Sequence, residues 1–157
     1  MPVLRLFDER DVDELVEVQR EGAVAGLSHI FPQDAYPFPS LMIRQRWLTE
    51  LADPEVDCYV VVHDGRVAGF AATRQDEFLH FGTAVSTWGT GLAGQAHDEV
   101  IEHLRDRGYV NAWLRVFEEN QRAVRFYLRR GWTPTNVTSR TGLAPNPTLR
   151  RYELALT

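Results

Sequence analysis

Apolar residues recur along this chain with two periods, and the element boundaries fall where one period gives way to the other. Val3 to Phe7 alternates weakly and reads as a short first strand. Asp8 or Asp11 then caps a helix carrying Val12, Leu15, Val16 and Ala23 on one face, ending between Gly22 and Gly26. Ser40 caps a second helix through Leu41, Ile43, Trp47, Leu48 and Leu51, which Asp53-Pro54 halts. Period two returns in Cys58 to His63 and in Arg66 to Thr73. The Asp64-Gly65 pair between them is the strongest short-range hairpin signal. From Phe78 another β-rich run enters the turn Gly89-Thr90-Gly91. Beyond it Leu92, Ala96, Val100 and Leu104 recur at helical spacing until Arg105-Asp106-Arg107-Gly108 closes the helix with basic residues and a glycine. Asn111 to Phe117 alternates again, and residues 120–130 form a short helix capped by Asn120 and stopped by Gly131. Two β-like runs follow, Trp132 to Thr141 and Thr148 to Leu156.

The predicted order is β-α-α-β-β-β-α-β-α-β-β. It implies an α/β fold on a mixed sheet of about seven strands, with an antiparallel first half, a parallel central pair and helices on both faces. At 157 residues one domain over residues 1–157 is expected, long enough to bury a sizeable core. One stretch fits neither period. Residues 28–40, SHIFPQDAYPFPS, hold three prolines, which forbid regular structure, yet Ile30, Phe31, Tyr36 and Phe38 are too apolar for a solvated linker. Either this loop covers a site or its aromatics pack on the edge of the core.

Composition narrows the function. A net charge of −5 argues against a chain that grips nucleic acid by neutralising phosphates. No apolar run approaches the ~20 residues of a bilayer span, so no membrane partner is expected. The acidic beginning MPVLRLFDERDVDE lacks the pattern of an export signal, which makes the expected address cytoplasmic. All 17 basic residues are arginine, which excludes Schiff-base chemistry on lysine and a lysine-bearing P-loop. The single cysteine, Cys58, sits in an apolar run and reads as a buried strand thiol. His29, His63, His97 and His103 show no metal-ligand spacing, and no metal is expected.

The stretch from Phe78 to Leu104 carries the chemistry. A strand, a glycine turn and a helix in succession let the backbone approach a ligand and aim the first helical amides at an anion, here a nucleotide or coenzyme diphosphate. Gly89-Thr90-Gly91-Leu92-Ala93-Gly94 also spells GxGxxG, with Glu118-Glu119 after the next strand, as a dinucleotide site would have. A dinucleotide fold needs several consecutive βα units, however, and a hairpin precedes this turn. Three features agree on another reading. Gly89-x-Gly91-x-Ala93 opens a helix, Asn120 follows the next strand, and Tyr127 lies in a short helix ending at Gly131-Trp132. In this order they resemble the GCN5-related N-acetyltransferase superfamily over nearly the whole chain. Thr87 to Ala93 matches the family turn (Gln/Arg)-x-x-Gly-x-(Gly/Ala). Asn120, Ala123, Tyr127, Gly131 and Trp132 meet the later pattern Asn-x-x-Ala-x-x-x-Tyr-x-x-x-Gly-(Phe/Trp) in full. The chain departs from the family at Thr83 and Val85, where a hydrophobic residue and a proline are common, and at Trp88, where a basic or polar residue is usual.

The resemblance implies acetyl-coenzyme A as co-substrate and direct transfer of its acetyl group to an amine of a small molecule or peptide. It implies coenzyme contacts from Thr83, Ala84 and Val85, from the turn residues Trp88, Gly89, Thr90, Gly91, Leu92 and Ala93, and from Asn120 and Tyr127. Arg122, Arg125, Arg129 and Arg130 either meet the 3′-phosphate or form a solvated face. Tyr127 is the candidate proton donor, because a phenol of pKa ~10 stays protonated near neutrality and can serve a leaving thiolate of pKa ~8–9. Candidates for the general base are His80 and Glu77, then Glu118 and Glu119. Strand alternation sets Glu77 and His80 on opposite faces unless a bulge intervenes. Phe31, Asp34, Tyr36 and Phe38 are the expected acceptor contacts, with Asp34 suited to a cationic amine. A second copy of the chain is entertained as a partner. Two other classes stay open: a catalytically silent acyl-coenzyme A binding protein and, more remotely, an NAD-binding protein.

Overall fold

The computed structural model describes residues 1–157. Its strands are β1 (Leu4–Leu6), β2 (Val56–His63), β3 (Arg66–Arg74), β4 (Glu77–Thr83), β5 (Asn111–Phe117), β6 (Thr133–Arg140) and β7 (Thr148–Ala155). Its helices are α1 (Val12–Leu27), α2 (Ser40–Ala52), α3 (Leu92–Asp106) and α4 (Gln121–Arg129). All seven strands form one sheet in the order β1-β2-β3-β4-β5-β7-β6, antiparallel throughout except for the parallel pair β4 and β5.

Alternation along the strands feeds two apolar layers. Tyr59, Ala71, Leu114 and Val116 point to one face, where Val100 and Leu104 of α3 and Tyr127 of α4 meet them. Cys58, Val60, Phe70 and Ala72 point to the other, against Leu15 and Val16 of α1 and Ile43 and Trp47 of α2. The predicted stripe of α3 is buried in full, since Leu92, Ala96, Val100 and Leu104 are each at most 5% exposed. Burial also pushes the Cys58 thiol up to about 12, so it stays an inert core group at neutral pH.

Three local expectations are corrected. Helix α1 continues through Gly22 and Gly26 to Leu27, because an interior glycine costs only about 1 kcal/mol and the buried face outweighs it. Ser40 is the first residue of α2 rather than its cap; Pro39 holds the cap position without a side-chain hydrogen bond. Strand β4 ends at Thr83, and Val85–Thr87 form a 3-10 turn instead of extending it.

Two features of β4 create the site. Ala72 pairs with His80 and Thr73 with Phe78, so Leu79 is an extra residue, a bulge that bends the strand. The parallel partner β5 meets β4 at a single register, Glu77 with Trp113. Past that point the β4 edge from Phe78 to Thr83 and the facing edge of β5 have no strand partner for each other, and a notch opens in the middle of the sheet.

Candidate active site

The turn after β4 carries the notch to the N-terminus of α3. Gly89 and Gly91 have φ of +83° and +90°, which favour glycine, and a side chain added at either would meet nothing within 4 Å. Gly91 caps α3; the Leu92 amide donates to the Thr90 hydroxyl at 3.4 Å, while the Ala93 and Gly94 amides have no partner within the chain. The Thr87 hydroxyl donates to the Ala84 carbonyl at 2.7 Å and stiffens the turn. Gly94, the last glycine of the GxGxxG string, serves packing instead: its missing side chain makes room for the Arg130 guanidinium.

Trp88 lies across this region. Its indole Nε1 donates to the Thr83 carbonyl at 3.0 Å, its ring reaches Gly26 of α1, and the Arg122 guanidinium stacks on it with Cζ 3.5 Å from the ring centre. Burial pushes the Arg122 pKa down from its ordinary value without making the group neutral at physiological pH. Beside it a cavity of about 600 Å³ is lined by Gly26, His29, Glu118, Glu119, Asn120, Gln121, Arg122 and Arg125. Asn120 is the cap of α4, its side-chain oxygen accepting from the Ala123 amide at 3.2 Å. Among the four candidate arginines, Arg130 is committed to Asp98 at 2.9 Å and to the Phe126 ring.

Tyr127 and His80 approach from opposite faces. Tyr127 belongs to the α3–α4 layer, edge-on to Phe126 and Trp132. Burial, with no other group acting on it, pushes its phenol pKa up, so it keeps its proton at neutral pH. The bulge decides the other face. Phe78 and Phe81 turn toward the α3–α4 layer and touch each other, whereas Leu79 and His80 turn toward α2. Glu77 also faces away from the α3–α4 layer, 3.4 Å from Arg115. The bulge therefore puts Glu77 and His80 on one face, although simple alternation separates them.

His80 has a partner that sequence reading missed. Both carboxylate oxygens of Glu50 on α2 lie 2.9 Å from His80 Nε2, and the Trp47 ring packs on the imidazole with centroids 5.0 Å apart. Burial pushes the Glu50 carboxyl up, but its bond to His80 and the charges of His80, Arg46 and Arg74 outweigh this and hold it below the usual range. A signal for Glu50 existed: it continues the apolar spacing Ile43, Trp47, and a carboxylate on a buried helix face needs a partner.

The four expected acceptor contacts separate. Phe31 packs edge-on to Phe117 at the end of β5, and His29 Nε2 donates to the Glu119 carbonyl at 2.8 Å, so the connection after α1 is tied across the mouth of the notch. Phe38 packs into the α1–α2 layer, and Asp34 and Tyr36 are exposed. Glu118 is paired with Arg150.

A single parallel register with a hairpin before it is not the succession of βα units that a dinucleotide fold requires. Comparison with known proteins decides the matter, because the profile of the acetyltransferase (GNAT) family matches residues 11–132. The chain belongs to this family. An uncharacterized N-acetyltransferase of Mycobacterium tuberculosis is 30% identical to it over 129 residues, covering 78% of this chain and 83% of the relative. Among solved structures, the ribosomal-protein-S18-alanine N-acetyltransferase of Escherichia coli superposes with a TM-score of 0.74 at 17% identity, over 100% of this chain and 95% of that one. The N-acetyltransferase PaiA of Thermoplasma acidophilum, solved in complex with coenzyme A, gives 0.74 at 15% identity over 94% and 96%. This acetyltransferase thus has the mixed seven-stranded sheet of its family, and the PaiA structure of that fold holds coenzyme A. The open glycine turn and the unpartnered Ala93 and Gly94 amides of α3 suit a diphosphate.

Proposed function

We propose that this acetyltransferase moves an acetyl group directly from acetyl-coenzyme A to a primary amine of a small molecule or a peptide, with the two substrates meeting in the notch between β4 and β5. The observation that carries this reading is the single register between those strands, with His80 on one face of the gap and Tyr127 on the other. When bound, the coenzyme supplies the acetyl group as a thioester. Every other part of the reaction falls to the chain.

The unpartnered amides of Gly89, Gly91 and Ala93 hold the diphosphate, with Thr90 and Leu92 shaping the turn around it, and these donors do not depend on the side chain at position 88. The free edge of β4 ending in Thr83, continued by Ala84 and Val85, pairs with the extended arm of the coenzyme as an added strand. One of its N–H groups stabilises the carbonyl oxygen as charge develops. The amine enters from the α2 face, beneath the segment that His29 and Phe31 tie down. His80 accepts its proton there, and Tyr127 carries the proton that the departing sulfur receives. Asn120 caps α4 and lines the same cavity, so it holds both the helix and the coenzyme edge.

Thiol release measured across a panel of amines tests this reading. Tyr127→Phe should lower kcat roughly 100-fold or more, the range of a lost general acid, while the KM for acetyl-coenzyme A changes less than about twofold. An unchanged kcat removes the proton-donor role. Coenzyme binding without thiol release on any amine contradicts the transferase reading and favours a silent binding protein.

A further inference from the structure

The Glu50–His80 pair is more specific than docking of α2 against the sheet requires. Trp47, one turn before Glu50 and fully buried, already packs against Phe7 and Phe70 and anchors the helix without any charge. Glu50 is itself only 8% exposed, so its carboxylate has lost most of its water and must be compensated by protein groups. Arg46, one turn earlier, is the obvious counter-charge, yet its Nε stays 3.8 Å from Glu50 and is a buried N–H with no hydrogen-bond partner. Arg74, at the end of β3, is directed to Asp53 at 3.6 Å. Both Glu50 oxygens are instead centred on one atom, His80 Nε2.

The bond has one chemical consequence. An ionised carboxylate only accepts, so Nε2 is the nitrogen that carries hydrogen, and the lone pair of neutral His80 is on Nδ1. The imidazole is held between this carboxylate and the Trp47 ring, on the stretch of β4 that has left β5, with its side chain still 17% exposed. We infer that Glu50 is the positioning residue of the reaction: it locks His80 in the Nε2–H tautomer so that Nδ1 takes the proton of the incoming amine, and it stabilises the imidazolium that results. The proton balance is simple. The amine nitrogen loses one hydrogen to Nδ1 as its bond to the acetyl carbon forms, Tyr127 delivers a hydrogen to the departing sulfur, and both groups return to their starting forms by exchange with solvent. The inference rests on reading His80 as the base.

The test compares wild type, Glu50→Gln, His80→Gln and the double variant, using the best amine found by thiol release. Glu50→Gln keeps the size of the side chain and so guards against simple unfolding, which a melting curve checks. We expect Glu50→Gln to lower kcat roughly 10- to 100-fold, as loss of a histidine-orienting partner does elsewhere. The KM for acetyl-coenzyme A should move less than about twofold, and the double variant should be no slower than His80→Gln alone. Independently of turnover, the long-range ¹H–¹⁵N spectrum of the His80 ring should show the Nε2–H tautomer in wild type and a mixture in Glu50→Gln. Full activity in His80→Gln overturns the base reading and this inference with it. Loss in His80→Gln with full activity in Glu50→Gln, multiplicative losses in the double variant, or an Nδ1–H tautomer in wild type overturns the inference alone.

Discussion

Trp132 Nε1 donates to His97 Nε2 at 3.0 Å in the interior, and Nδ1 of the same ring lies 2.9 Å from Asp98 Oδ1. An indole N–H only donates, so His97 is neutral with its hydrogen on Nδ1, and a second proton would strike the indole hydrogen. Burial pushes the His97 pKa below its ordinary value, against the weaker pull of Asp98. The sign for stability follows. The folded state binds fewer protons here than the unfolded one, so this contribution is present above an unfolded pKa of ~6.5 and is lost as pH falls toward the folded value. Urea midpoints should therefore drop between pH 7 and pH 5.5, before most carboxylates titrate, and the drop should shrink in His97→Gln. Equal midpoints across that interval would show that the network does not set acid stability. His97 also illustrates what sequence can and cannot convey at this scale. Its place on α3 beside Ala96 and Val100 was legible, but its partner lies 35 positions away and follows only from how α3 meets the start of β6.

Among the elements, α3 was the most legible and β4 the least. The stripe Leu92, Ala96, Val100, Leu104 depends on one helix alone, and periodicity reports it directly. The bulge at Leu79 depends on the register between β3 and β4, which no local pattern encodes, and it is the bulge that brings His80 and Glu77 to one face. Glu50 was missed for a related reason: its value comes from α2 lying over β4, a tertiary contact. The glycine turn lies between these extremes, its glycines visible in the sequence and its conformation set by the fold. Gly91 is left-handed at φ +90° with open space beside it, so Gly91→Ala meets no clash and pays only in backbone strain, about 1–2 kcal/mol. The variant should lose about that amount of unfolding free energy in a urea titration. It should also bind coenzyme A more weakly in titration calorimetry, because relaxing the strain re-aims the first amides of α3. Unchanged affinity would remove the turn from the coenzyme site.

For the molecule as a whole, the order of motifs was enough to anticipate the sheet, since Asn120, Tyr127 and Gly131-Trp132 have to fall where β5 and α4 put them. The acceptor side was far less legible. Phe31, Asp34, Tyr36 and Phe38 look alike as a loop cluster, yet one packs on β5, one enters the core and two face solvent, because each is positioned by the element it happens to cross. The central claim is that the gap between β4 and β5, continued by the glycine turn, is where acetyl-coenzyme A binds. Amide hydrogen exchange with and without acetyl-coenzyme A tests it most directly, since an amide that gains a partner exchanges more slowly. The account predicts new protection in residues 81–85 and 89–94 and along the β5 edge to Phe117, with little change in β1, β2 and β6. Protection confined to other segments, or equal protection by NAD, would contradict it.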